Sequence, residues 1–280
     1  MKSLMRSKEE GVATAIGAIL SILIVVLLLS LFVASYLPAE MSAYEESYSN
    51  NLLKSVMEVD SSINLLYVTF NKGEVVSVPF SMESGNVPLL SSPTVGTLSL
   101  MPADNGFGGF ISVSNLTTKV SAGGSLSVET NDRYYVDQVY YYELSSVESS
   151  QIVNGSLVGS VMEFGLLSVQ NGSNGSVIIS LHLVNLEGGP VSISSPGPIS
   201  VTLEAVSESE YRLTGNLSIA IDSQFSSQLF STISDSLSHY SGISVQHSIS
   251  GDNLVLSISP GGSVVIADVS ELTVFAVIGA

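Results

Sequence analysis

The chain has 280 residues, 8 Lys and Arg against 25 Asp and Glu, a formal net charge of −17 and no cysteine. So acidic a surface repels phosphate backbones, which excludes nucleic acid as an expected partner. Without cysteine there is neither a disulfide nor a thiolate metal site, so the fold must rest on an apolar core.

Residues 1–11 form a charged leader containing Lys2, Arg6, Lys8, Glu9 and Glu10. No charged side chain follows until Glu40. Roughly 20 apolar residues in a helix cross the hydrocarbon core of a bilayer, and residues 12–37 reach that length. Between Leu20 and Val33 nearly every residue is Leu, Ile, Val or Phe, each contributing about −0.3 to −0.6 kcal/mol to insertion. The segment is expected to be a transmembrane or filament-core helix in contact with membrane lipid. A secretory signal has an apolar core of only about 7–15 residues, so the alternative of a cleaved signal ending near Val33-Ala34-Ser35 fits the length less well. Basic residues before the run and Glu40, Glu45 and Glu46 after it predict a cytoplasmic N-terminus and an extracellular 40–280. No second uncharged run of spanning length follows, so one crossing is expected. Ala13, Gly17 and Ser21 recur at i, i+4 and i+8, a spacing that leaves a flat stripe for helix–helix packing in lipid.

Over 38–64 apolar residues return at steps of three and four: Met41, Tyr44, Tyr48, Leu52, Val56, Val59 and Ile63. Glu45, Glu46, Lys54, Glu58 and Asp60 fall between them and read as the solvated side of an amphipathic helix. Pro38 marks an expected bend or restart. From Leu65 the period becomes two. Val75–Phe80, Gly109–Val113, Ser125–Thr130, Val177–Val184 and Ile199–Val206 read as strands. Turn-rich pieces such as Ala103–Gly106, Asn171–Gly175 and Glu187–Pro190 separate them. Residues 65–210 therefore predict a β-sandwich head. Residues 211–280 predict a small α+β part: a helix within Asp222–Tyr240 stopped near Gly242, then strands at 243–248, 254–259, 264–266 and 272–278. The expected fold class is α+β, a long N-terminal helix followed by a mainly antiparallel β head.

Chemistry-bearing motifs are missing. There is no Gly-x-Ser-x-Gly, no phosphate-cradling glycine loop and no His-Glu-x-x-His, so neither an enzyme nor a cofactor or metal is expected. His182 alternates with Leu181 and Leu183 and reads as a strand-face histidine, while His239 and His247 flank a turn. Five tyrosines crowd 134–142, with Tyr140 and Tyr142 predicted on one strand face and Tyr141 on the other. Such a cluster either fills the sandwich or offers aromatic surface to a glycan or partner. Asn115, Asn154, Asn171, Asn174 and Asn216 lie in glycosylation sequons.

The stretch Gly11-Val12-Ala13-Thr14-Ala15-Ile16-Gly17-Ala18-Ile19-Leu20 resembles the start of archaeal type IV pilins, which read approximately Gly-Val-Ser-Pro-Val-Ile-Gly-Thr-Ile-Leu. Gly11, Val12, Ile16, Gly17, Ile19 and Leu20 match in place. Ala13-Thr14 stands where the family has Ser-Pro, and Glu9-Glu10 where a basic residue usually precedes the glycine. The resemblance implies a leader cut at Gly11 or Val12 by a prepilin peptidase. It also implies assembly with a platform protein and a secretion ATPase, and homo- or hetero-oligomers joined through the N-terminal helix. Pieces of 131–278, including Tyr140–Glu143 and Leu183–Leu186, are similar to the heads of archaeal pilin-like surface proteins, a similarity that implies no activity. The expected function is a structural or minor pilus-like subunit; the alternative is a non-polymerising anchored surface protein for adhesion or ligand binding.

Overall fold

The computed structural model describes residues 2–87, 91–103, 108–153 and 156–279, with side chains from residue 14 onward except those of 152–157. One helix, α1 (Lys2–Val68), leads into the strands β1 (Val75–Ser81), β2 (Thr97–Pro102), β3 (Phe110–Ser114), β4 (Lys119–Glu129), β5 (Gln138–Glu143), β6 (Ser146–Val153), β7 (Ser156–Phe164) and β8 (Leu167–Asn171). There follow β9 (Val177–Glu187), β10 (Val191–Ile193), β11 (Pro198–Thr214), β12 (Leu217–Asp222), α2 (Ser226–Ser238), β13 (Ile243–Ser250), β14 (Asn253–Pro260) and β15 (Val265–Gly279). This is the α+β architecture of a long apolar helix and a mostly antiparallel β head. The expected turn at Ala103–Gly106 lies largely outside the described residues.

α1 runs through Pro38 without a restart. Its uncovered first part and its docked second part belong to one rod of 67 residues, about 100 Å long at 1.5 Å per residue. From Leu37 onward one stripe enters the head: Met41, Tyr48, Leu52, Val56, Val59, Ile63 and Leu66 are buried. Full burial of each such side chain contributes about 1.5–3 kcal/mol, which is what holds the helix to the sheets. Three expectations change here. Tyr44 stays 37% exposed, whereas Glu45 and Asp60, assigned to the solvated side, are 0% and 3% exposed. The reason is phase: Glu45 follows Met41 by four residues and precedes Tyr48 by three, and Asp60 stands likewise between Val56 and Ile63. Both sit on the apolar stripe and need partners there.

The strands form two sheets. The first has the order β1-β11-β15-β9-β8. β15 pairs with β9 in parallel and with β11 antiparallel. The second sheet has ten strands, with β13-β14-β12-β3-β4-β5-β6-β7 along its path and β2 and β10 joined through β4. β12, from the last third of the chain, pairs with β3, so strands from both sides of residue 210 share each sheet. The segments expected as two strands at 264–266 and 272–278 are the single strand β15.

The sheets enclose two apolar clusters, each roofed by one helix. The first gathers the α1 stripe with Val78, Phe80, Leu98, Leu126, Tyr140 and Tyr142. The second gathers α2 with Ile111, Val120, Ile179, Ile219 and Leu256. β15 serves both by turning opposite faces to them. Leu272, Val274, Ala276 and Ile278 point into the first cluster, whereas Val265, Ala267 and Val269 point into the second. β9 does the same with Val184 and Leu186 against Val177, Ile179, Leu181 and Leu183. β11 instead turns odd-numbered residues to both clusters: Ile199, Val201, Leu203 and Ala205 face the first, and Leu213 the second. A bulge at Val206 makes that possible, because the register skips from Ala205↔Val274 to Ser207↔Thr273. One extra residue exchanges the two faces of a strand.

α2 lies within the expected Asp222–Tyr240. The Ser223 hydroxyl accepts the Phe225 N–H at 3.0 Å, and Ser226 donates its N–H to the Ser223 carbonyl at 3.0 Å, which makes a turn of the residues before the helix. Leu229, Ile233 and Leu237 then enter the core at four-residue steps. Gly242 lies beyond the end at φ +96°, a conformation that suits glycine.

Candidate functional site: an uncovered apolar helix and a polar cleft

Two features of the surface are out of the ordinary for a globular head. The first is the front part of α1. Residues 14–36 are exposed on every side, including Ile19 at 66%, Ile22 at 64% and Leu31 at 64%. An 18-residue window there has mean hydropathy 3.1 and none of it is buried, so this is a candidate single membrane span. An apolar helix surface of that size needs lipid or other protein around it.

Beyond the helix's own backbone and the chain neighbours of Gly17, no described atom lies within 4 Å of the place where a Cβ would stand. Ser21 donates its hydroxyl to the Gly17 carbonyl at 2.9 Å, which keeps that polar group from needing an outside partner. These two residues therefore give a smooth, self-satisfied helix face. Gly11 and Val12, the expected processing site, lie in the backbone of α1, and the side chains of Val12 and Ala13 are outside those described. Of the sequon residues, Asn171, Asn174 and Asn216 are exposed and Asn115 is half-buried. Asn115 uses its side-chain oxygen to accept the N–H groups of Thr117 and Thr118, closing a turn. Asn154 lies outside the described residues.

The second feature is a cleft of about 440 Å³ at the C-terminal end of α1. Its floor is the continuation of the sheet face that α1 covers. Along β15 the residues on that face are Ile278, Ala276, Val274 and Leu272 under the helix, then Ser270 and Asp268 where the helix has ended. Register places two parallel rows across β11, β15 and β9. Arg212, Asp268 and Ser180 make one row; Glu210, Ser270 and His182 make the next. Tyr67, one residue before the end of α1, closes the side, its ring edge-on to His182 at 5.1 Å and 80°.

Within these rows Arg212 Nε stands 3.6 Å from Asp268 Oδ1, with the arginine largely solvated and the aspartate half-buried. His182 Nδ1 and Ser270 Oγ are 3.1 Å apart, and Ser270 Oγ also lies 3.3 Å from the Leu181 carbonyl. Burial lowers the pKa of His182, which keeps the imidazole neutral at pH 7. A serine beside a histidine is half of a nucleophilic triad, but no hydrogen bond from His182 to a carboxylate occurs among the described residues. The pair reads as a fixed hydrogen-bonding surface. His182 thus has neighbours that its strand-face expectation did not include. The signal lies in long-range register, which brings 180–182, 210–212 and 268–270 together.

The other expected features are structural. Tyr140 and Tyr142 are buried in the first cluster, and Tyr141 lies on the opposite face, edge-on to Phe225 at 5.4 Å. His247 stacks on Phe230 at 4.1 Å, and His239 Nδ1 contacts the Asp235 carbonyl at 2.8 Å. No group of three or more His, Asp or Glu among the described residues is arranged to hold a metal ion. A second cavity of about 440 Å³ is lined by Gly108, Tyr141, Glu143, Ser223 and Asp252 among others.

The chain matches no model of a known protein family, no curated protein and no solved structure.

Proposed function

We propose that the chain is a structural or minor subunit of an archaeal type IV pilus-like filament, held in the membrane by residues 12–37 before assembly. In this reading the N-terminus faces the cytoplasm and the head faces outward, an orientation that the charge distribution across the helix supports. The observation that carries this reading is the continuity of α1. One rigid helix is bare and apolar in its first part and forms the spine of the head in its second. A plain anchor can be joined to its domain by any linker. A subunit that stacks through its helix gains from a rigid joint, because each head is then fixed relative to the filament core. The matched leader-glycine-apolar order adds processing by a prepilin peptidase, and with it a platform protein and a secretion ATPase as partners.

The departures at Ala13-Thr14 and Glu9-Glu10 favour a second reading, a permanently anchored surface protein that does not polymerise. Gly17→Leu separates the two. Leucine inserts into lipid better than glycine, and at position 17 the place of its Cβ is open, with nothing beyond the helix's own backbone and chain neighbours within 4 Å. Any damage therefore reports a neighbouring helix. In cells carrying the variant, cross-linked oligomers and surface filaments are expected to fall roughly tenfold while membrane-associated protein stays constant. Unchanged oligomers, or none in the parent protein, would leave the anchored monomer as the function.

A further inference from the structure

We propose that the cleft at the end of α1 is a binding site for a neutral saccharide unit. It lies about 45 Å along the helix from Leu37, at 1.5 Å per residue, and so at the end of the head farthest from the bare helix. The inference needs only that the head meets solvent, so it stands or falls independently of polymerisation.

The chemistry of the lining selects the ligand class. Its volume of about 440 Å³ is within the range of small-molecule pockets and suits a sugar ring with its first shell of water. The two rows mix donors and acceptors: Arg212 and Ser180 can donate, His182 presents its second ring nitrogen, Ser270 has its hydroxyl proton engaged by the Leu181 carbonyl or His182, and Asp268 and Glu210 can only accept. Vicinal hydroxyls, each both donor and acceptor, match such a surface. Simple apolar ligands would strand these groups without partners. The half-buried Tyr67 supplies the one aromatic side chain against which the C–H face of a ring can lie. Tyr211 and Val269 also border the cleft, but their side chains turn the other way into the second core cluster.

Charge narrows the class further. The lining holds one arginine against two carboxylates, with His182 neutral, inside a protein of net charge −17. An anionic ligand meets repulsion from the whole protein and from Glu210 and Asp268. A cationic ligand must displace Arg212, already placed beside Asp268. A neutral polyol can use the Arg212–Asp268 pair as it stands, bridging donor and acceptor.

The test is titration of the full-length protein, in nanodiscs or a detergent without a sugar headgroup, followed by calorimetry and by NMR of the head. The probes are glucose, galactose, mannose and N-acetylglucosamine with their disaccharides, alongside glucuronate and spermidine. The expected result is saturable binding of at least one neutral sugar in the millimolar range or tighter. Arg212→Ala and Asp268→Ala are expected to weaken it about tenfold with little change in melting. Tyr67→Leu is expected to abolish it. Binding that survives both charge variants, binding of glucuronate or spermidine alone, or no binding of any neutral sugar would each overturn the proposal.

Discussion

The backbone N–H of Tyr134 donates to the carboxylate of Glu45 at 2.6 Å, joining the middle of α1 to the loop that precedes β5. Arg133 and Tyr135 donate their N–H groups to the same carboxylate at 3.2 and 2.8 Å. Three successive amides thus form a small anion-binding concavity, filled by a side chain from the helix. Glu45 is fully buried, and the charge is tolerated because hydrogen bonds to it replace its water. Apolar burial presses α1 against the head along its length. This carboxylate fixes where along its axis the helix stops.

Removing the carboxylate is therefore expected to cost more than an average surface change. Glu45→Ala leaves three inward-facing N–H groups without an acceptor, at a cost of about 3 kcal/mol. For a domain of this size each kcal/mol lowers the melting temperature by about 2–4 °C. Glu45→Gln keeps one acceptor oxygen and should lie between the alanine variant and the parent. Thermal melting of the three proteins checks the order. An alanine variant as stable as the parent would show that water replaces the side chain without loss.

Stability is expected to fall as pH rises from about 4 to 7. Burial lifts Asp60 to about 6, with the negative charge of Glu163 adding to the effect and the Asn64 amide opposing it. Burial lifts Asp132 to about 7, and Glu45 and Asp137 push in the same direction. Glu148 is raised well above its ordinary value by burial and by Glu143 and Asp60, and neither of its oxygens has a hydrogen-bond partner. In each case the folded state holds the proton more tightly than the unfolded chain does. The contribution is complete below the ordinary carboxylate range and is lost as pH passes through the raised values. Asp60→Asn removes the part of the slope between about 4 and 6. Melting temperatures at unit steps of pH check this; a midpoint that climbs with pH over that range would refute the sign.

These buried acids show what the sequence made legible and what it hid. The stripe from Met41 to Ile63 is plain from its spacing, and the same spacing puts Glu45 and Asp60 on it. Charge led them to be read as solvated, whereas phase was the better guide. The strands at 75, 110, 177 and 199 followed from period-two alternation, as did the opposite faces of Tyr140 and Tyr141. β15 read as two strands because Asp268, Ser270 and Glu271 interrupt its apolar pattern where it passes from one core to the other. Its parallel pairing with β9 and the bulge at Val206 depend on contacts far apart in sequence, so no local pattern could reveal them. The cleft was hidden for the same reason.

Processing at the start of α1 is directly measurable. If the filament reading holds, mass spectrometry of protein from native membranes should find an N-terminus at or next to Val12. Loss of Met1 to Glu10 also removes Lys2, Arg6 and Lys8, the basic residues that fix orientation before cleavage. Protein from cells lacking the prepilin peptidase should retain the leader. An intact leader in wild-type membranes would end the processing claim and favour permanent anchoring.

Deleting residues 1–36 should yield a soluble head with both cores intact. The described side chains of 14–35 are all exposed, so no core contact among them is lost. Burial begins at Leu37 and Met41. The cut also leaves Pro38 in the first turn of the shortened helix, where its fixed φ suits the start and its missing N–H costs nothing. Glu45 and the stripe to Leu66 remain on the helix that docks. The truncated protein should be monomeric without detergent, give a β-rich circular dichroism spectrum, and melt within about 3 °C of the full chain, a change below about 1 kcal/mol. Chelator should leave that midpoint unmoved, since the fold is held by its two apolar clusters. Aggregation of the truncated head, or a large drop in its midpoint, would mean that the bare part of α1 also stabilises the domain and is more than an anchor or assembly surface.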